Sequence, residues 1–182
     1  MNIEKELEAV KKRLARLEKD RGLGDGPEAF EAAFWLPEVS INGLHFNNTR
    51  VRAVFEKQDA GWYHSRDVLF LSARNTEDDN SRDILAEYLN SKCFKRCLWE
   101  QLPSDGFTEC ATLDDLTVSL PSLGEGVKGY NGVPCGYWLA PPYSGYPTHF
   151  CSVTKSGMTD LDGARRVLGV APCFRIGKGE AE

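Results

Sequence analysis

The chain lacks any apolar run long enough to span a membrane, and its N-terminus carries charges where a secretory leader would carry an apolar core. The expectation is a protein made in a cytoplasm, with no membrane insertion. An excess of basic charge is also missing. Lys and Arg number 22 against 27 Asp and Glu, a net charge of −5. Phosphate backbones are held by clustered cations, so nucleic acid is not expected as a partner. Histidine is scarce, and His45, His64 and His149 stand at no zinc-finger spacing to a cysteine pair. The six cysteines come without a secreted context. They read as reduced, mostly buried thiols acting as small hydrophobes, with a metal site or a disulfide as the alternative. Cys93 and Cys97, one turn apart on an expected helix, can face one partner.

Catalytic signatures are thin as well. Acidic residues fall in runs (Glu77 to Asp79, Asp114 and Asp115), the usual composition of solvated loops. His149 with Ser144 and Cys151 has no acid partner at a defined spacing. The stretch Asp160-Leu161-Asp162-Gly163 has neither the ligand spacing nor the terminal Glu of a calcium loop. No catalytic residue, metal or cofactor is assigned, and the chain reads as non-enzymatic.

What is present begins with a heptad. Ile3, Leu7, Val10, Leu14 and Leu17 are spaced four, three, four and three residues apart, the a/d seam of a coiled coil. With Leu7 and Leu14 at a, Arg13 falls at g and Glu18 at e, positions whose charges bridge between helices. The run from Arg13 to Glu18 (Arg, apolar, two free positions, apolar, Glu) resembles a pattern of parallel three-stranded coiled coils. An amphipathic helix docked on its own domain is the other reading. Gly22 to Pro27 then forms a hinge. The expected organisation is an oligomerisation helix over 1–21, a linker with a short helix from Pro27 to Leu36 over 22–38, a globular domain over 39–177 and a polar tail over 178–182.

Hydrophobic residues make up 41% of the chain, enough for a packed core. From Ile41 the period changes to two. Ile41 to Phe46 reads as a strand with a turn at Asn42-Gly43. Val51, Ala53 and Phe55 alternate with Arg50, Arg52, Val54 and Glu56. Asp59 to Gly61 is a turn, Trp62 begins the return strand, and Asp67 to Ala73 is apolar enough for a buried central strand. Arg74 to Asn80 reads as an exposed polar loop. A helix follows from an N-cap at Ser81 to Asn90, then a second with Phe94, Cys97 and Leu98 inward, stopped by Pro103. Asp115 to Leu120 alternates as a strand. Glycine and proline then dominate to Pro147, a long loop region broken by Tyr137-Trp138-Leu139. Two closing strands are expected around Phe150 to Thr154 and Leu168 to Ile176.

Candidate ligand-binding residues lie in or beside those loops: Tyr130, Asn131, Tyr143, Ser144, Tyr146, Thr148 and His149. Tyr, Ser, Asn and Gly suit adaptable recognition loops, offering flat amphipathic rings and flexible hydrogen bonding. Trp138 reads as core. Tyr143 and Tyr146 either pin loops or meet a ligand.

The order of motifs carries a resemblance. Leu71-Ser72 is followed by Tyr88-Leu89-Asn90, then Trp138-Leu139-Ala140-Pro141-Pro142, then Cys151-Ser152-Val153, then Gly169-Val170-Ala171-Pro172-Cys173-Phe174. This succession resembles an uncharacterised domain family of bacteria and their phages, whose signature runs Tyr-Leu-Asn, Trp-Leu-Arg-Ser-Pro and Gly-Val-Arg-Pro-Ala. The resemblance implies a C-type-lectin-like or formylglycine-generating-enzyme-like fold: an α+β domain of mixed sheet, one or two helices and long loops. Ala140-Pro141 and Ala171 stand where the family has arginines, so apolar packing is expected to substitute for any polar tie those arginines make. Lectin calcium motifs and the cysteine context of formylglycine-generating catalysis are missing, and Cys151 and Cys173 read as core. The implied function is a homotrimeric phage virion protein of tail, baseplate or head. Its partners would be itself, other virion proteins and a host-surface glycan or protein. A purely architectural decoration is the alternative, and an enzyme of the formylglycine-generating type a more distant one.

Overall fold

The computed structural model describes residues 3–20, 26–36, 39–41, 44–46, 49–75, 82–103, 112–146 and 148–177. Helix α1 (Ile3–Asp20) comes first, then β1 (Ala29–Leu36), β2 (Val39–Ile41), β3 (Leu44–Phe46), β4 (Thr49–Lys57), β5 (Trp62–Ser65) and β6 (Phe70–Ser72). Helices α2 (Ile84–Leu89) and α3 (Lys92–Trp99) precede β7 (Leu116–Ser119), β8 (Lys128–Tyr130), β9 (Val133–Cys135) and β10 (Tyr137–Pro142). The last strands are β11 (His149–Val153), β12 (Thr159–Gly163), β13 (Leu168–Val170) and β14 (Cys173–Ile176). The fold is α+β, mostly antiparallel, with an N-terminal helix.

One five-stranded sheet runs β1-β4-β5-β14-β7, antiparallel throughout. The other runs β12-β11-β10-β13-β6, with β10 and β13 its parallel pair. The first sheet turns Phe55, Tyr63 and Phe174 inward, and Phe30 joins them. Tyr63 stacks on Phe174 with centroids 5.2 Å apart, and Phe55 meets Phe174 edge-on at 5.1 Å. Leu85 and Leu89 of α2, Phe94 and Leu98 of α3, and Trp138 of the second sheet fill the same core, each fully buried. Trp138 is thus core as expected, and its Nε1 donates to Ser72 O at 2.8 Å.

The segment from Pro27 to Leu36, expected as a short helix, is instead strand β1. It pairs with β4 across Ala29↔Glu56 to Leu36↔Thr49. Alanine favours helix locally, but Ala32 and Leu36 alternate inward with a period of two, matching Val51, Ala53 and Phe55 opposite. Ladder bonds and core contact outweigh propensity, and the segment belongs to the sheet rather than to a linker. The apolar run from Asp67 to Ala73 is buried but not central: β6 is an edge strand, covered by Trp138 and by the packing of its flanks. The expected exposed loop fails at its first two residues, since Arg74 and Asn75 are 2% and 0% exposed.

Asp83, not Ser81, caps α2, its carboxylate accepting from Ala86 N at 3.1 Å. Ser91 caps α3, and Phe94 and Leu98 point inward as expected. The Gly/Pro-rich region holds more strand than its composition suggests. β8 and β9 form a hairpin across Asn131 and Gly132, both at positive φ (51° and 81°), the conformation an Asn-Gly turn supplies. The Asp160 to Gly163 stretch is strand β12 rather than a loop, and its Asp162 accepts from Ser152 Oγ at 2.6 Å and pairs with Arg166. Leu168 to Ile176 is two strands in different sheets. Ala171-Pro172 carries the chain across, because proline offers no N–H to continue a ladder.

Five cysteines are described, all free, and only Cys173 is buried. The expectation of mostly buried thiols is corrected most clearly at Cys93, which lies on the solvent side of α3 because Phe94 and Leu98 take the core side. The expected hinge from Gly22 to Asp25, the Asn42-Gly43 turn, Ser81, the acidic run Glu77 to Asp79, Cys110 and the tail 178–182 lie outside the described residues. So do the side chains of Leu17 and Glu18.

Candidate functional site

On α1 the expected seam is uncovered. Ile3, Leu7, Val10 and Leu14 are 76%, 52%, 61% and 55% exposed, and Arg13 is exposed beside them. A helix docked on its own domain would bury that stripe.

Of the expected loop residues, the structure brings together Tyr143, Tyr146 and His149. The chain leaves β10, turns through Ser144 and Gly145, and returns into β11. Tyr146 N donates to Tyr143 O (3.2 Å) and Tyr143 N to His149 O (3.0 Å). The two tyrosine rings stack at 5.9 Å and 16°, and His149 stands 5.4 Å from Tyr146. Gly145 permits this fold-back, because a Cβ there would come 3.1 Å from the Tyr143 ring. Tyr146 remains 60% exposed. Ser144 is exposed at the tip, and Thr148 Oγ1 lies 3.3 Å from His149 Nδ1, steadying the ring. Tyr130 and Asn131 do other work. Asn131 makes the β8–β9 turn, and Tyr130 packs half-buried on a small cluster around Tyr137 and Leu139.

A second region was not foreseen. Antiparallel pairing sets Cys173 opposite His64, on the face of the first sheet that points away from the aromatic core. A cavity of about 370 Å³ opens there, walled by Trp62, Leu120 and Leu123 and edged by His64, Glu125 and Cys173. Glu125 pairs with His64 Nδ1 through Oε1 and with Lys128 Nζ through Oε2 at 2.9 Å. Lys128 is buried, donating also to Ser65 O at 2.7 Å. Burial acts to raise the Glu125 carboxyl, but the His64 and Lys128 hydrogen bonds outweigh it and hold the group below its ordinary range. Burial, seconded by the Glu125 charge, pushes the Cys173 thiol well up despite Lys128. Such a thiol is protonated at neutral pH, and no hydrogen bond joins it to His64. Cys173 is therefore both core, as expected, and cavity floor. Nothing in the sequence marks Glu125, in a Gly-Glu-Gly loop, as the partner of a histidine 61 residues earlier; the two meet only through the tertiary fold.

A third polar cluster is structural. Arg74 donates to Asp83 (2.9 and 3.0 Å from Nε), to Leu139 O (2.6 Å) and to Ala140 O (3.4 Å), and lies 4.1 Å over the Phe150 ring. Ala171 is fully buried, as expected of apolar packing, but the strand around Ala140 does receive a polar tie, and Arg74 supplies it.

Comparison with known protein families, curated proteins and solved structures finds no match for this chain.

Proposed function

We propose that this chain is a non-enzymatic recognition protein of a phage particle, a homotrimer gathered by α1 that presents C-type-lectin-like heads. The observation that carries the reading is the uncovered a/d stripe of α1, since exposed apolar stripes of this kind mark association surfaces. The motif order supports the phage and lectin-like assignments. The stacked, exposed Tyr143–Tyr146 pair supports recognition, offering a flat aromatic platform for a host-surface glycan or protein or for another virion protein. Three heads on one stalk would turn weak single contacts into avidity. Helix α1 is short for a free coiled coil, so the heads or a virion socket share the task. Phe30 and Leu36 are committed to the core, and Trp35, 57% exposed, is a contributor from β1.

Sedimentation of the full chain should give a trimer, and Leu7→Asp with Leu14→Asp should give folded monomers. A wild-type monomer with α1 helical would overturn the oligomer. Tyr143→Ala and Tyr146→Ala should abolish host adsorption while leaving the melting temperature unchanged. Unaltered adsorption would favour the architectural role instead.

A further inference from the structure

The cavity at the end of the first sheet has walls and polar groups of different character. Trp62, Leu120 and Leu123 give it a largely apolar lining, and Leu123 is 78% exposed at its edge. The loop carrying Leu123 and Glu125 is held in place from beneath. Glu125 N donates to Tyr137 Oη (2.9 Å), Tyr137 Oη donates to Gly126 O (2.9 Å), and Lys128 reaches Glu125 from the buried side. This wall is preorganised, which lowers the ordering cost of binding.

The polar side is asymmetric. The Glu125 carboxylate is ionised and can only accept, so His64 Nδ1 carries the proton between them. The ring's other nitrogen, Nε2, has no hydrogen-bond partner among the described residues; it accepts in the neutral ring and donates in the imidazolium. Among the described residues no three His, Cys, Asp or Glu side chains converge in metal-ligand geometry, so this nitrogen is not one corner of such a group. What complements it beside an indole and two leucines is a small ring bearing one neutral hydroxyl, a group that can donate or accept. A volume of about 370 Å³ lies within the range of small-ligand sites.

We infer that this cavity is a binding site for a small neutral aromatic molecule carrying one hydroxyl, which docks on Trp62 and hydrogen-bonds to the His64 ring. The site is separate from the tyrosine turn and stands whether or not the chain is a virion protein. Phenol and benzene make the decisive pair of probes, differing by the one donor group. Titrated into the full-length wild-type chain and followed by the imidazole nitrogen resonances, phenol should shift the His64 signals and Trp62 emission. It should bind about tenfold more tightly than benzene, the ratio one net hydrogen bond confers. His64→Phe should erase that ratio while leaving the circular dichroism unchanged, with only a small fall in melting temperature from the lost Glu125 pair, and His64→Gln, which keeps a polar group in the same place, should restore part of it. Equal binding of the two probes, no binding of phenol, or a phenol preference that leaves the His64 resonances unmoved would each overturn the assignment. All three use only the wild-type protein, so they decide even if a variant fails to fold.

Discussion

Arg74 and Lys128 are both cations buried within the α+β fold, 2% and 5% exposed, and their surroundings differ in kind. Arg74 has its donors matched internally by Asp83 and two strand carbonyls, with an aromatic ring against its face. Its carboxylate partner is also the cap of α2, so one ion pair ties the helix start, β10 and the core together. Lys128 grips backbone carbonyls next to β5 and one oxygen of Glu125, and Glu125 passes the contact on to His64 at a cavity edge. A saturated buried charge closes a structure. One that relays through a carboxylate to a histidine ends at a cavity edge instead. Burial alone therefore does not distinguish a charge saturated within the fold from one whose bonds lead out to a cavity.

The largest effect should come from breaking the saturated cluster. Asp83→Ala leaves the Arg74 guanidinium uncompensated in the core and should cost about 3–5 kcal/mol in denaturant unfolding. Adding Arg74→Met should recover most of that loss; a double variant no more stable than the single would show that the cost lies in the lost helix cap. Lys128→Met should cost less, about 1–3 kcal/mol, and the change should be local. Hydrogen exchange at the Glu125 and Gly126 amides should quicken while the α2 amides keep their protection. Uniform loss of protection across both regions would show that the two buried cations act alike.

The smallest effect concerns pH. Glu125 is held below its ordinary carboxyl range by His64 and Lys128. Its contribution to stability is therefore complete above the unfolded-state value and is lost as pH falls through the lower folded-state value. Glu125→Gln should flatten that part of the acid-side decline in melting temperature without changing the slope near neutrality. An unchanged acid limb would show that the carboxylate is not differentially stabilised in the fold.

Legibility varied with how local the cause was. The β4 alternation, the return strand at Trp62 and the inward face of α3 were readable because side-chain period reports burial directly. The alanine-rich β1 is not legible in this way, since helix propensity speaks for residues that an eight-residue ladder with β4 claims. Tyr143, Tyr146 and His149 were legible as candidates from composition alone. Their convergence was not, because it depends on the close approach that Gly145 allows. His64, Glu125 and Lys128 carried no signal, since neither their spacing nor their neighbours suggest a cluster.

By itself the sequence determined the local facts: the a/d stripe of α1, the strand and helix periods, the aromatic content of the 143–149 turn and the absence of any long apolar span. Tertiary structure alone decided which charges are buried, that Leu168 to Ile176 divides between two sheets, and that Cys173 faces His64 across a cavity. Periodicity and turn chemistry are set by neighbours along the chain. Pairing register and the meeting of distant charges are set by which strands lie side by side, and no window of sequence contains that information.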